Sequence, residues 1–395
     1  MNIDTNNDVK NVVVYTVMKY FFIKKTLKKY WRFGIMNRKK LCIYLGGMDG
    51  VGGTGRAVSI LSNELMQYYD VSIVSYYQDK NQLNYTLNQG IKLTSIFMQP
   101  TRMVFGIFKQ IPYLYQYIKK NKIDVLLVCG AIHMPGGIIA AKLAGVKVIC
   151  CEHSNYTCVY DARFERQGRN FAAKHSDYLV TLTNKDIDNY RNNTVVKAQM
   201  TSIPNIIDAR LFDFNSDYHG KNRKIISVGR LTYAKNYELL IKIAKIILEN
   251  NPEWEWDIFG DGELRSELET LIREHDVDRL HLKGNVNDIY ERYKDYDFFV
   301  MTSRYEGFPM VLLEAMANKL PCIAFDCQTG PSDIILNNVN GIIVEPENEI
   351  LMIQAIQSLI DDEGLRRNYS SHTVESLNKF KTERIIEKWI KLIEE

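Results

Sequence analysis

Two carboxylates, Glu306 and Glu314, flank the short turn Gly307-Phe308-Pro309-Met310. The apolar run 298–301 ahead of them reads as a buried strand, and Val311-Leu312-Leu313 behind the turn reads as the start of a helix. Pro309 suits that place, because a proline at a helix start has no N–H to leave unpaired. The free N–H groups of such a helix end form a ready site for a phosphate. Upstream, Gly229-Arg230-Leu231-Thr232-Tyr233-Ala234-Lys235-Asn236 carries two cations into the start of a predicted helix over 237–250. Positive charge at a helix N-terminus does nothing for the helix. It does suit a bound diphosphate. A paired-carboxylate hydrolase is the competing reading of Glu306 and Glu314. The cationic loop disfavours it, since a hydrolase needs no diphosphate clamp.

A second candidate loop, 46–56, follows a short apolar strand and contains Gly52 and Gly53. It lacks the Lys-Ser/Thr of a P-loop, and no acidic residue closes the next strand as a dinucleotide site requires. What remains is a backbone that a ligand can approach closely at a helix N-terminus. Glu152-His153-Ser154 leaves the carboxyl end of the predicted strand 147–151, the place where parallel sheets bind ligands, so His153 is expected to face a cleft. Three Asp-x-Asp spellings, at Asp186/Asp188, Asp276/Asp278 and Asp295/Asp297, follow no strand in a way that would hold Mg²⁺. No His, Cys or Asp cluster has metal-ligand spacing along the chain. The seven cysteines form no C-x-x-C pair and read as small buried hydrophobes in a reducing cytoplasm.

The elements that must position these residues alternate strand with helix, which predicts parallel α/β sheets. A chain of 395 residues is too long for one core, so two domains are expected. The polar stretch 201–222 is the candidate boundary, with predicted strands before and after it. The expected division is a first α/β domain over 37–205 and a second over 206–378. A last apolar-striped helix, 379–395, is expected to cross back to the first domain. Residues 1–40 hold ten Lys or Arg and two acids, a net of +8, and the remaining 40 basic and 45 acidic residues give −5. The body is therefore mildly acidic, which argues against nucleic-acid binding. The leader 1–36 stands outside the fold in this reading. Its apolar part, about a dozen residues, is too short to span a bilayer. With Lys24, Lys25, Lys28, Lys29, Tyr30 and Trp31 it has the composition of a segment lying on an anionic membrane surface. The other reading is an upstream extension with no part in the protein's work.

Taken in order, the glycine-rich loop, Glu152-His153-Ser154, Ile203-Pro204-Asn205, Gly229-Arg230-Leu231 with Lys235-Asn236, Phe259-Gly260-Asp261-Gly262 and Glu306-Gly-Phe-Pro with Glu314 resemble the retaining nucleotide-sugar glycosyltransferases of family 4. The resemblance runs from about residue 40 to the C-terminus. It implies the GT-B fold, two Rossmann-like domains facing a central cleft. Cys327-Gln328-Thr329-Gly330-Pro331-Ser332-Asp333 is similar to a subset acting in bacterial capsule, exopolysaccharide and O-antigen synthesis, often with UDP-hexoses or UDP-N-acetylhexosamines.

The resemblance also implies roles. Arg230 and Lys235 would bind the donor diphosphate, and Glu306 would hold hydroxyls of the transferred sugar. Phe308, Pro309 and Met310 would line the sugar and phosphate site, and Glu314 would take the ribose hydroxyls. Gly52 and Gly53 would let the first domain close on the donor, His153 would touch the sugar or the acceptor, and Val286 would lie by the base. No cofactor or metal is implied. The expected partners are a nucleotide-sugar, a glycan or lipid-linked glycan acceptor and the inner face of the cell membrane. A sugar-nucleotide epimerase on the same fold would need acid–base residues beyond His153, for which the sequence offers no strong candidate. A non-catalytic partner subunit is opposed by the intact set of Glu306, Glu314, Arg230 and Lys235.

Overall fold

A computed structural model describes residues 38–48, 53–79, 85–99, 101, 103–158, 162–212, 218–286 and 288–395. The basic leader and Gly52 lie outside these described residues. Seven strands form the first sheet: β1 (Lys40–Leu45), β2 (Asp70–Tyr77), β3 (Lys92–Phe97), β4 (Val125–Cys129), β5 (Lys147–Cys151), β6 (Tyr178–Thr181) and β7 (Gln199–Ser202). Their order is β3-β2-β1-β4-β5-β6-β7. Six more form the second: β8 (Lys224–Val228), β9 (Glu255–Phe259), β10 (Leu280–Gly284), β11 (Phe298–Met301), β12 (Cys322–Phe325) and β13 (Gly341–Val344), in the order β10-β9-β8-β11-β12-β13. Each named pairing is parallel. Both sheets are Rossmann-like. The strand order reverses between β1 and β4 in one and between β8 and β11 in the other, and a crevice opens at the carboxyl ends of each such pair.

Parallel strands buried on both faces alternate their side chains between two cores. Along β1, Leu41, Ile43 and Leu45 enter one core, and Cys42 and Tyr44 the other. The first of these cores is completed by the end of the chain. The helix Thr382–Glu394 buries Ile385, Ile386, Trp389, Leu392 and Ile393 in the same cluster as Leu41 and Ile43. Lys147 Nζ donates to Leu392 O at 2.5 Å, and Tyr69 OH donates to Glu394 Oε1 at 3.0 Å. The chain changes core near the proposed boundary, with Ile203 and Ile206 among the first sheet's residues and Ile207 among the second's.

Two elements differ from the sequence reading. β7 runs two residues into the stretch 201–222 read as the boundary and was not read as a strand, because Gln199-Met200-Thr201-Ser202 is an edge strand without an apolar run. The last helix, expected over 379–395, begins at Thr382 instead, behind a helix Glu363–Ser376 and a 3₁₀ turn Leu377–Phe380.

Candidate active site

β8 and β11 run in register, with Ile225 beside Phe298 and Ile226 beside Phe299. The loops leaving their carboxyl ends therefore meet at the crevice of the second sheet. The loop after β8 turns through a 3₁₀ element, Tyr233–Lys235, into the helix Tyr237–Asn250. Asn236 sits between them at φ 55°, a left-handed conformation that asparagine tolerates better than most side chains. Thr302 Oγ1 donates to the carbonyls of Lys235 at 3.0 Å and Asn236 at 3.3 Å. Arg304 donates to Tyr233 O at 2.7 Å and lies over the Tyr233 ring. These contacts tie the cationic loop to the glutamate turn.

The result is a close pair: Lys235 Nζ lies 2.5 Å from Glu306 Oε1, and Ser303 Oγ donates to the same oxygen at 2.6 Å. Arg230 is exposed, and no ion pair engages it among the described residues. Beneath it, Phe259-Gly260-Asp261-Gly262 packs backbone against backbone. A Cβ on Gly260, at φ 134°, would lie 2.0 Å from Gly229 O, and one on Gly262 would lie 2.4 Å from Leu231 O. Only glycine fits at such a distance.

The helix Met310–Ala317 opens directly behind the turn, with Pro309 as its N-cap. Phe308 does not direct its ring to the crevice. It is buried edge-on against Phe380 at 5.3 Å between centroids, which leaves its backbone for the turn. Pro309 is held from behind by Gly330, where a Cβ would come within 2.4 Å of the proline ring. Met310 and Val286 are partly buried against the same core.

Glu314, in the second turn of that helix, is almost completely buried, and both its oxygens are engaged. Arg56 Nη1 lies 2.6 Å from Oε1, and Tyr293 OH donates to Oε2 at 3.1 Å. Arg56 belongs to the first domain, in the opening turn of the helix Gly53–Leu65, and its guanidinium also lies 5.0 Å over the Tyr290 ring. The sequence reading did not single out Arg56. Its signal there was an arginine three residues past Gly53 at the helix start.

The first domain reaches the glutamate turn again through the segment after β5. Asn155 Nδ2 donates to Glu306 O at 2.7 Å, an oxygen that also accepts from Thr329 Oγ1 at 2.5 Å. A Cβ on Gly307 would lie 2.4 Å from His153 O, so the turn and the His153 segment touch through backbone. Glu152 anchors this segment. It takes Arg169 Nε at 2.8 Å and Tyr190 OH at 3.3 Å, and its Oε1 accepts from Ser154 N at 2.9 Å. Burial works against protonation of His153, but Cys151, Glu152 and Asn205 around it outweigh burial and hold its pKa above the ordinary imidazole value. The structure thus brings Lys235, Glu306, Gly307 and His153 into one site, with Arg230 exposed at its edge. Gly53 opens the helix that carries Arg56.

At the first sheet's own crevice stands His133, which the sequence reading passed over. It is buried beside Tyr44 and Tyr76, and burial pushes its pKa down to about 4. Asp186 and Asp297, from two of the Asp-x-Asp spellings, are structural. Asp186 accepts from Tyr156 N, and Asp297 from Asn222 N and Lys224 N.

Comparison with known proteins bears directly on this geometry. The family model described as Glycosyltransferase Family 4 matches residues 51–211, and the one described as Glycosyl transferases group 1 matches residues 209–375. The amylovoran biosynthesis glycosyltransferase AmsD of Erwinia amylovora is 30% identical over 89% of this chain and 98% of its own. The chain belongs to the family 4 glycosyltransferases. Among other members, an α-1,4-N-acetyl-D-galactosaminyltransferase of Campylobacter jejuni acting on a diphosphoundecaprenol-linked GalNAc glycan is 26% identical over 87% of this chain and 95% of its own. A point mutant of TarM from S. aureus, solved with Fondaparinux, α-GlcNAc-glycerol and UDP, shares the fold. Its TM-score is 0.76 at 17% identity, covering 90% of this chain and 100% of that one. The two parallel sheets of this glycosyltransferase are therefore the GT-B arrangement.

Proposed function

We propose that this glycosyltransferase moves a hexose or N-acetylhexosamine from a UDP-sugar to a lipid-linked glycan, with retention of configuration and without a metal. The carrying observation is the 2.5 Å pair of Lys235 and Glu306 at the crevice of the second sheet, with exposed Arg230 beside it. In this reading the bond from the anomeric carbon to the diphosphate oxygen breaks as the acceptor oxygen attacks from the same face. The acceptor proton passes to the departing phosphate, so no side chain serves as a covalent nucleophile. Arg230 and Lys235 stabilise the charge that develops on the leaving group, where preorganised cations are most effective. Glu306, freed from Lys235 as the lysine turns to phosphate, takes sugar hydroxyls. Backbone N–H groups of the 307–310 turn face the phosphate, and His153 positions the sugar or the acceptor. Glu314 accepts the ribose hydroxyls once Arg56 moves aside, and Val286 lies by the base.

Support for a lipid-linked acceptor comes from the Campylobacter relative, whose substrate is carried on undecaprenol diphosphate. Support for peripheral membrane contact comes from the helix Met103–Asn121. It leaves Phe108 84% exposed and presents Lys109, Lys119 and Lys120 to solvent. Such a mixture suits an anionic membrane surface. No helix among the described residues is long and apolar enough to cross a membrane.

The test is turnover with a panel of UDP- and GDP-sugars in EDTA, using a lipid-linked glycan acceptor. Donor consumption that survives EDTA and vanishes in Glu306→Ala and Lys235→Ala supports the reading. A requirement for added Mg²⁺ or Mn²⁺ removes the metal-independent part of it.

A further inference from the structure

Cys129 is the last residue of β4 and Cys151 the last of β5, and the two are direct partners in the parallel register. Partners in register project to the same face of a sheet. Both cysteines enter the first-sheet core that holds Ile43, whereas the adjacent Cys150 enters the core on the other face. His153 follows two residues after Cys151, where the strand has ended. The two thiol sulfurs and a ring nitrogen of His153 all lie within 4.8 Å of one another. Both ring nitrogens of His153 are sealed from solvent, and neither makes a hydrogen bond of ordinary distance and angle. A buried polar atom without a partner carries an unrelieved desolvation cost, and such atoms call for an explanation.

The donor chemistry narrows the explanation. Two thiols and an imidazole are poor ligands for the hard cations Mg²⁺ and Ca²⁺, which take oxygen. They are the ordinary ligands of Zn²⁺ and other thiophilic ions. A tetrahedral zinc with Zn–S near ~2.3 Å and Zn–N near ~2.0 Å places its ligand atoms roughly 3.5–3.8 Å apart. The observed separations, at most 4.8 Å, exceed that spacing by no more than about an ångström. The sequence alone could not show this set, because its members come from two strands separated by a helix.

We propose that Cys129, Cys151 and His153 form a three-ligand site for a thiophilic divalent cation, with Zn²⁺ the natural occupant and the fourth position open. On binding, each thiol releases its proton to solvent and the imidazole ligates in its neutral form, so one cation enters and two protons leave, or three where His153 starts protonated. The cation takes no part in breaking the donor bond, and with the His153 ring as its ligand the positioning role given to His153 above passes to the backbone of its segment, which touches Gly307. Its ligand His153 belongs to the segment that touches Gly307, so an occupied site ties that segment to the ends of β4 and β5.

The test reads the metal and not the transferase, so a wrong donor assignment does not affect it. Full-length protein, reduced with a phosphine, is titrated with Co²⁺ and then with Zn²⁺. A one-to-one complex is expected, with a thiolate-to-cobalt charge-transfer band and the strong visible bands of tetrahedral cobalt, all erased by Zn²⁺. Cys129→Ser and Cys151→Ser each weaken Co²⁺ binding at least ~10-fold and dim the charge-transfer band. Cys150→Ala, on the same strand but the opposite face, leaves the spectrum as it is. Independently of any variant's folding, Zn²⁺ slows alkylation of Cys129 and Cys151 in the unmutated protein while leaving Cys150 unaffected. Weak octahedral cobalt bands only, or an unchanged spectrum in the folded Cys129→Ser/Cys151→Ser double variant, overturns the proposal.

Discussion

Arg56 of the first domain holds Glu314 of the second at 2.6 Å, and the carboxylate it holds is almost completely buried. This ion pair crosses the cleft at the carboxylate proposed for the ribose. Removing one partner of a buried pair leaves a costly unpaired charge, about 3–5 kcal/mol where burial is complete. Arg56 is partly exposed, so the lower end applies here.

Closure without ligand should therefore depend on Arg56. In Arg56→Ala the free protein is expected to open, with a larger radius of gyration by small-angle scattering. UDP should restore much of the compactness. An unchanged scattering profile would show that Arg56 does not hold the domains together.

Lys235 is expected to matter to the chemical step more than to folding. Lys235→Ala should lower kcat by about 10²–10³-fold, the scale seen when one preorganised charge-stabilising group is removed. Its thermal midpoint should stay close to that of the unmutated protein. A change confined to KM would assign Lys235 to ground-state binding alone.

His133 makes a prediction about pH. Its folded pKa, about 4, lies below the unfolded value near 6.5, so the unfolded state binds more protons in between. Stability is thus highest above pH 6.5 on this account and falls as pH drops toward 4, by roughly 3 kcal/mol in all. Denaturant unfolding at stepped pH should show a flatter profile over that window in His133→Gln. Parallel profiles for the two proteins would contradict the assignment.

The last helix should be integral to the first domain. Trp389 is 3% exposed in a core shared with β1. Trp389→Ala is expected to cost about 3–5 kcal/mol. Hydrogen exchange should show the loss concentrated at β1 and the helix Gly53–Leu65, and exchange loosened only in the second sheet would count against this.

Most of the second sheet was legible in the sequence. Phe298–Met301 and, in the first sheet, Lys147–Cys151 were read at their observed bounds, because buried parallel strands are short apolar runs ended by loop residues. β7 was missed because an edge strand needs no apolar run, and Gln199-Met200-Thr201-Ser202 has none. The helix Glu363–Ser376 was missed because its exposed face is polar and its buried side is Arg366, Tyr369, Ser370 and Thr373. The loops that meet at the crevice were found because glycine, cation and carboxylate spacings are local. Arg56 on Glu314 and Cys129 beside Cys151 were invisible, because each is made by topology across many residues. The resemblance placed Phe308 among the residues lining the site, and only packing shows that its ring turns to Phe380.

The central claim is that a nucleoside diphosphate binds between Arg230 and Lys235 at the crevice of the second sheet. Calorimetric titration of UDP into the full chain, in EDTA, tests it most directly. Arg230→Ala and Lys235→Ala should each weaken binding by about 10- to 100-fold, the loss of a charge-assisted hydrogen bond of about 1.5–3 kcal/mol. UDP binding of equal strength in both variants and the unmutated protein would contradict the account.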